Sequence, residues 1–197
     1  MLITNDFEVA EPVEKVWQFF DNIPQVANCL PGAELTEDLG DGKYKGKVAV
    51  RMGPVRLQFA GTADITERDE QARRLVVHAA GAEERGRGQA NMVVTAVLTP
   101  AGRGTKVEVS QDLQLAGAAA QYGRGMISDV SSVLMQDFAA NMQDRIARLE
   151  RGESAEQLAA ASSAARPASG FALGLRAARM ALTRVFRRFF VPYQHAS

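Results

Sequence analysis

The sequence has little of the chemistry that usually marks a metal site or a disulfide scaffold. Among its 197 residues there are one cysteine, Cys29, and two histidines, His78 and His195. A single cysteine excludes an internal disulfide and a cysteine-rich zinc site, and it fits a reducing compartment. We interpret Cys29 as a small buried core residue, with a reactive thiol as the alternative.

Sequence motifs of catalysis are missing as well. The chain contains neither HExxH nor GxSxG, and the glycine-rich run 81–88 fits neither a dinucleotide-binding pattern nor a P-loop. We interpret that run as a turn between strands, and His78 as a solvated or hydrogen-bonded strand residue, with a catalytic base as the alternative. Glu83 and Glu84 are adjacent, so in a strand they point to opposite faces and cannot cooperate as an acid pair. We therefore predict that the protein is not an enzyme.

Long apolar runs and a net charge are also absent. No window reaches the roughly 18 apolar residues that a transmembrane helix needs, and no basic and apolar leader stands at the start. Both observations predict a cytoplasmic protein. The 23 basic and 23 acidic residues cancel, but unevenly: residues 1–156 hold 17 of the basic and all of the acidic ones, a net −6, and 157–197 carry six arginines. Such a split predicts a basic tail with an anionic partner of its own.

The pattern of apolar residues predicts an α+β domain over residues 1–151. Residues 2–10 have the pattern of a strand, and Pro12 opens a helix whose apolar residues recur at helical spacing, followed by a second short helical piece. From Ala33 to Leu115 the period becomes two, in five alternating runs joined by polar or glycine-containing turns. These runs predict a curved antiparallel sheet with one apolar face. A helix from about Ala118 to Arg151 is predicted to cover it.

Seven short segments together resemble the START-like or SRPBCC superfamily, and specifically the CoxG family of carbon monoxide dehydrogenase subunits. They are residues 11–17 (EPVEKVW), 29–33 (CLPGA), 44–48 (YKGKV), 53–55 (GPV), 59–62 (FAGT), 112–117 (DLQLAG) and 121–124 (QYGR). The resemblance implies a helix-grip fold, in which a curved antiparallel sheet is closed by a long C-terminal helix. It also implies a cavity between that sheet and helix.

A cavity also fits the inward phase of the strands, where small residues such as Gly46, Gly61 and Ala90 stand beside larger ones. The alternative is that all of these side chains simply fill a core. Gln111 is the polar exception in its strand, so it is predicted either to bind a ligand carbonyl or to pair with helix backbone or water. The candidate ligand-binding residues are Val50, Met52, Leu57, Phe59, Met92, Val94, Gln111, Leu113, Tyr122 and Met126.

The segment after the domain is predicted to divide into a linker (152–170), an amphipathic helix (171–190) and a short tail (191–197). The predicted helix would place apolar side chains opposite arginines, as in helices that lie in a membrane interface. Packing on the domain or in a partner groove is the alternative, and nucleic acid is disfavoured. The predicted membrane-binding residues are Phe171, Leu175, Arg176, Arg179, Leu182, Arg184, Val185, Phe186, Arg187, Arg188 and Phe189.

The resemblance implies a role for both parts of the chain. The family accompanies molybdenum-dependent carbon monoxide dehydrogenases, which pass electrons to membrane quinone, and is thought to tether them to the membrane. We therefore expect a non-catalytic peripheral protein on the inner face of the cell membrane. It would carry menaquinone or ubiquinone, with no covalent cofactor and no metal, and bind anionic lipid. The alternatives are a cyclase or hydratase of the same superfamily, and an assembly factor without ligand.

Overall fold

The computed structural model describes residues 1–153. The described elements, in chain order, are β1 (Leu2–Val9), α1 (Val13–Phe20), α2 (Ile23–Cys29), β2 (Ala33–Gly40), β3 (Lys43–Met52), β4 (Val55–Asp69), β5 (Arg74–Glu83), β6 (Gly88–Ala101), β7 (Gly104–Gly117), a 3₁₀ turn (Ala118–Gln121) and α3 (Arg124–Glu150). Almost all of the predicted linker, together with the predicted helix 171–190 and tail 191–197, lies outside the described residues.

The strands form one antiparallel sheet in the order β1-β7-β6-β5-β4-β3-β2. Each strand from β2 to β7 pairs with its neighbours in sequence through hairpins, and β1 joins the far edge by pairing with β7. The long helix α3 covers the concave face, with α1 and α2 at one end. This arrangement confirms the predicted α+β helix-grip fold.

Two elements differ from the prediction. An extra strand, β2, pairs with β3 at the sheet edge, and its mostly exposed residues show only a weak alternation. The long helix begins at Arg124, six residues later than predicted, because the backbone cannot run as one helix from β7. Gly117 has a positive φ of 73°, and a Cβ there would lie 2.8 Å from Gly88 Cα. Tyr122 is then extended, which separates the 3₁₀ turn from α3.

The largest packed cluster lies where α1 meets the sheet and the second half of α3; we call it the packed end. Its buried residues are Val9, Val13, Val16, Trp17, Phe19, Phe20, Cys29, Leu75, Ala96, Leu98, Val107, Val109, Phe138, Met142 and Ile146. The guanidinium groups of Arg68 and Arg73 lie 5.6 and 5.8 Å from the centre of the Trp17 ring. These two arginines of the β4–β5 hairpin therefore cover the indole.

The short helix α2 is held in place by polar contacts to its flanks and to α3. The Asn22 side chain accepts a hydrogen bond from the Gln25 amide at 3.2 Å, which caps the helix. The buried Arg145 of α3 donates to the Gln25 side chain at 3.2 Å, and Asn141 donates to the Cys29 carbonyl at 2.9 Å. Cys29 is buried, and desolvation raises the pKa of its thiol to about 11, so it is a core residue.

Candidate functional site

A cavity of about 490 Å³, open on one side, lies between the concave face of the sheet and the helices α2 and α3. Eight of the ten predicted ligand-binding residues line it: Val50, Met52, Leu57, Phe59, Met92, Val94, Gln111 and Leu113. Most of these apolar side chains are only partly buried, although they point to the covered side of the sheet. Partial exposure of inward-facing apolar groups is what an unfilled hollow produces, and a packed core would leave them fully buried.

The hollow exists because one row of paired residues across the sheet has no side chain larger than a methyl group. Gly46, Gly61, Gly81 and Ala90 stand directly opposite one another on β3, β4, β5 and β6, and we call this set the small-residue row. Two of the glycines are required by the backbone. A Cβ on Gly46 would lie 2.8 Å from the Glu34 carbonyl oxygen, and one on Gly61 would collide with the carbonyl of Ala80. The neighbouring strands therefore approach closely here and leave space above the row.

The helices supply the rest of the wall. From the α2 region, Ile23, Val26, Ala27 and Leu30 line the cavity at spacings of three and four residues. From α3 the lining residues are Ile127, Val130, Ser131, Leu134, Met135 and Phe138, one continuous stripe. The sequence analysis did not assign the α2 residues to the site. Their helical spacing was the signal that could have found them.

Two predicted site residues do not line the cavity. Met126 is 44% exposed on the outer side of α3, because it precedes the inward-facing Ile127 by one residue and one residue turns a helix by 100°. Tyr122 lies in the extended link between the 3₁₀ turn and α3, where it packs against a small cluster that includes Ile3 and Leu57. Both placements correct the prediction that these side chains line the cavity.

Two buried polar side chains interrupt the apolar wall. Gln111 and Ser131 are each 8% exposed, and Ser131 Oγ donates to Gln111 Oε1 at 3.2 Å. Ser131 Oγ in turn accepts from Asn5 Nδ2 at 3.3 Å, and Asn5 Oδ1 accepts from Ser132 Oγ at 3.1 Å. This chain of hydrogen bonds ties β1 and β7 to α3. Gln111 thus pairs with a helix side chain and also faces the cavity.

A charged pair lies in the β5–β6 turn. Glu83 has the inward phase of β5, and its carboxylate accepts from Arg87 Nη2 at 2.9 Å and from the backbone amides of Arg85 and Arg87. These bonds, the one from the Arg87 side chain above all, lower the pKa of Glu83 to about 2. Glu84 points the other way and pairs with Lys47 at 2.8 Å. The two glutamates therefore lie on opposite faces, as predicted, and both are used in structural ion pairs.

His78 lies on the outer face of the sheet, away from the cavity. It is exposed, and it stands opposite Asp64 beside a shallow polar depression of about 160 Å³.

Within residues 1–153 no group of three or more His, Cys, Asp or Glu side chains is arranged to hold a metal ion. In the same residues, no helix has the length and apolar character needed to cross a membrane.

A family profile for CoxG, described as a subunit of carbon monoxide dehydrogenase, matches residues 6–147, which include nearly all of the sheet and α3. The chain belongs to this family. No curated protein sequence matches the CoxG domain described above. The family assignment therefore rests on the profile, and the fold can be compared with solved structures.

Solved structures share the helix-grip fold of this CoxG chain. A conserved protein from Geobacillus kaustophilus superposes with a TM-score of 0.67 at 23% identity, covering 75% of this chain and 96% of that one. The Zhui aromatase/cyclase from Streptomyces sp. R1128 gives 0.56 at 16% identity, covering 79% and 97%. Ara h 8.0201 gives 0.51 at 14% identity, covering 75% and 98%. At these identities the likeness establishes the SRPBCC/START-like fold alone.

Proposed function

We propose that this CoxG protein binds an apolar small molecule in its concave cavity, and that the ligand is a membrane quinone such as menaquinone or ubiquinone. The observation that carries the proposal is the cavity of about 490 Å³ with an almost wholly apolar wall. Small-molecule sites in proteins typically occupy about 300–1,000 Å³ and combine apolar walls with a few placed polar groups. Gln111 and Ser131 are such groups.

The chemistry of the wall suits a molecule with a polar ring and an apolar tail. The carbonyl oxygens of a quinone ring are hydrogen-bond acceptors, and the Gln111 amide is the buried donor available on the wall. The part of the wall that α2 and α3 contribute is apolar and includes Leu30 and Leu134. An isoprenoid tail can pack against these side chains.

The family assignment supports a link to an oxidoreductase. The family is described as a subunit of carbon monoxide dehydrogenase, so we propose that this protein connects a soluble enzyme of that kind to the quinone pool without itself catalysing a reaction. The two buried polar groups of the cavity are an amide and a hydroxyl, which can position a ligand but are poor general acids and bases. This chemistry favours binding over catalysis.

The arginine-rich segment supports a membrane position for the complex. Residues 171–190 contain five arginines and several large apolar residues, and the predicted helix would place the two sets on opposite faces. Each arginine near anionic lipid contributes up to about 1 kcal/mol, and partial burial of the apolar side chains adds to it. The body, at −6 over residues 1–156, is repelled by the same surface. We propose that the segment docks on the inner face of the cell membrane while the domain stays above it.

Ligand extraction from the purified full chain tests the cavity proposal. Native mass spectrometry and solvent extraction should reveal a bound quinone. Titration of ligand-free protein with 2-methyl-1,4-naphthoquinone should quench the fluorescence of Trp17, the single tryptophan, which lies one helical turn before the cavity residue Phe20. Failure of the protein to bind any apolar ligand would leave an assembly factor. Turnover that depends on His78, Glu83 or Glu84 would instead establish an enzyme.

Flotation with lipid vesicles tests the membrane proposal separately. The full chain should float with vesicles that contain anionic lipid and remain behind with neutral ones, because the arginines need a negative surface. Deletion of residues 171–197 should abolish flotation while leaving quinone binding intact. Equal flotation of the truncated protein would refute the role of this segment.

A further inference from the structure

We infer that the cavity selects its ligand by the direction of a hydrogen bond, binding a carbonyl in preference to the corresponding hydroxyl. For a quinone carrier this means that the oxidised form is held and the quinol is released. The identity of the ligand rests on the proposed function above. The selectivity rests on the four residues Ser132, Asn5, Ser131 and Gln111, which we call the polar relay.

The polar relay has one direction. Ser132 Oγ donates to Asn5 Oδ1 at 3.1 Å, and the amide nitrogen of Asn5 donates to Ser131 Oγ at 3.3 Å. The single proton of the Ser131 hydroxyl is then donated to Gln111 Oε1 at 3.2 Å. Asn5 and Ser131 therefore each accept one hydrogen bond and donate the next, and the last acceptor is the side-chain oxygen of Gln111.

The relay fixes which end of the Gln111 amide faces the ligand. Because Oε1 is bound to Ser131, the amide nitrogen is the group left to face the cavity that Gln111 lines. Among the described residues, this nitrogen has no hydrogen-bond partner. It is a donor with no acceptor function, and it belongs to a residue that is 8% exposed and lines the cavity. A ligand that displaces water from the cavity must therefore supply an acceptor to this donor.

A carbonyl oxygen accepts from this nitrogen and brings no donor of its own, whereas a hydroxyl brings a proton that needs a further acceptor. The hydroxyl oxygen can accept from the Gln111 nitrogen, but its own proton then points at apolar side chains such as Val94 and Leu113. An unsatisfied buried donor weakens binding, and we expect roughly a tenfold preference for the carbonyl compound. A quinone becomes a quinol when it takes two electrons from the partner oxidoreductase and two protons from water. Because of this preference, the protein would bind the quinone, which is the substrate of that reaction, and release the quinol, which is its product.

The first experiment measures binding of a ketone and its alcohol to the full chain. The matched pair 1-tetralone and 1-tetralol avoids redox exchange, and 2-methyl-1,4-naphthoquinone is compared with its dithionite-reduced form without oxygen. Wild-type protein should bind each carbonyl form about tenfold more tightly by isothermal titration calorimetry. Gln111→Met should lower ketone affinity about tenfold and bring the ratio close to one. Gln114→Met, three residues along β7 and exposed on the outer face, should change neither value.

The second experiment separates orientation of the amide from its presence. Ser131→Ala removes the bond that fixes Gln111, so the amide can rotate to serve either ligand. We expect ketone affinity to fall less than threefold while the selectivity ratio collapses. Ser128→Ala, on the same helix but outside the cavity wall, should keep the ratio. Thermal unfolding of each variant checks that the fold is intact. If Gln111→Met does not fold, the ketone-to-alcohol affinity ratio of Ser131→Ala decides whether the inference holds.

The possible failures are distinct. If wild-type protein binds both members of a pair equally and Gln111→Met changes nothing, the directional inference is overturned and the apolar binding site remains. A ketone-to-alcohol affinity ratio that stays the same in Ser131→Ala would likewise overturn the role of the polar relay. If wild-type protein binds none of the probes, both this inference and the proposed function are wrong.

Discussion

The packed end and the cavity lie under the same sheet and the same helix, yet one is filled and the other is hollow. At the packed end, α1 inserts Val16 and Trp17 between sheet and helix, and Met142 of α3 is completely buried. At the cavity, the corresponding strand positions are the glycines and the alanine of the small-residue row. The elements are shared, so the difference comes from side-chain volume at inward positions.

This contrast assigns stability and binding to different residues. The packed end holds most of the fully buried apolar side chains among the described residues, and such burial is the main favourable term in folding. The cavity wall keeps its apolar surface in partial contact with solvent, and that surface is recovered when an apolar ligand enters. Substitutions at the two places are therefore expected to have different consequences.

The largest effect is expected at the packed end. Met142→Ala removes a side chain that is 0% exposed, and such truncations cost about 2–5 kcal/mol of the free energy of unfolding. The control is Met126→Ala on the same helix, where the side chain is 44% exposed and the cost should be below about 0.5 kcal/mol. Urea denaturation measures both. Similar costs for the two would contradict the contrast.

An acid-sensitive effect is expected at the Glu83–Arg87 pair. The folded pKa of Glu83 is lowered to about 2 from an ordinary 4.5, so the carboxylate stabilises the fold fully above pH 4.5. That contribution is lost as the pH falls from 4.5 towards 2. Glu83→Gln should therefore unfold more easily than wild type at neutral pH, and the gap should close below pH 4.5. Thermal unfolding across pH tests this, and a gap independent of pH would exclude the ion pair as its cause.

Filling the hollow should separate binding from stability. Ala90→Leu places a branched side chain into the small-residue row from β6, so ligand affinity should fall at least tenfold while the free energy of unfolding changes by about 1 kcal/mol or less. Ala82→Leu, exposed on the outer face of β5, is the matched control and should leave affinity unchanged. Unchanged affinity in Ala90→Leu would place the ligand elsewhere.

A smaller effect is expected at the start of α2. Asn22→Ala removes the side-chain cap on the Gln25 amide, which should cost about 1 kcal/mol of stability. Because α2 contributes Ile23 and Val26 to the cavity wall, ligand affinity should fall modestly as well. Asn22→Asp preserves the acceptor and should restore both values, as measured by denaturation and by Trp17 fluorescence. A variant that loses neither would show that the contacts to Arg145 and Asn141 hold α2 alone.

The sequence was enough to predict the sheet, the closing helix and eight strand residues of the cavity wall, because alternation in β3 to β7 is strong. Val50, Met52, Phe59 and Leu113 were assigned to the wall from their strand phase, once the family resemblance implied a cavity. The strand β2 was missed because an exposed edge strand has no apolar face to alternate. Its Glu34 pairs in register with Lys47 of β3, and both charges sit at the border of the sheet.

Other features depended on three-dimensional detail that a sequence pattern does not carry. Met126 and Ile127 are neighbours in an apolar stripe, and a shift of one residue in helical phase decided which faced inward. The start of α3 follows the positive φ of Gly117 and the extended backbone of Tyr122, which a sequence pattern does not reveal. The partner of Gln111 could not be named because Ser131 lies on another element, 20 residues away. The hollow itself required the strand register, which aligned four small residues.

The small-residue row also bears on how the ligand of such a domain can change over evolutionary time. Gly46 and Gly61 are locked, because any side chain there meets a neighbouring carbonyl. A Cβ on Gly81 would lie 3.2 Å from the Ala60 carbonyl oxygen, a tight contact that a small shift relieves. Ala90 already has a Cβ atom. Single substitutions on β5 and β6 can therefore change the volume of the cavity without any change at the packed end. Substitutions that alter the size of the ligand are expected to occur mainly on these two strands.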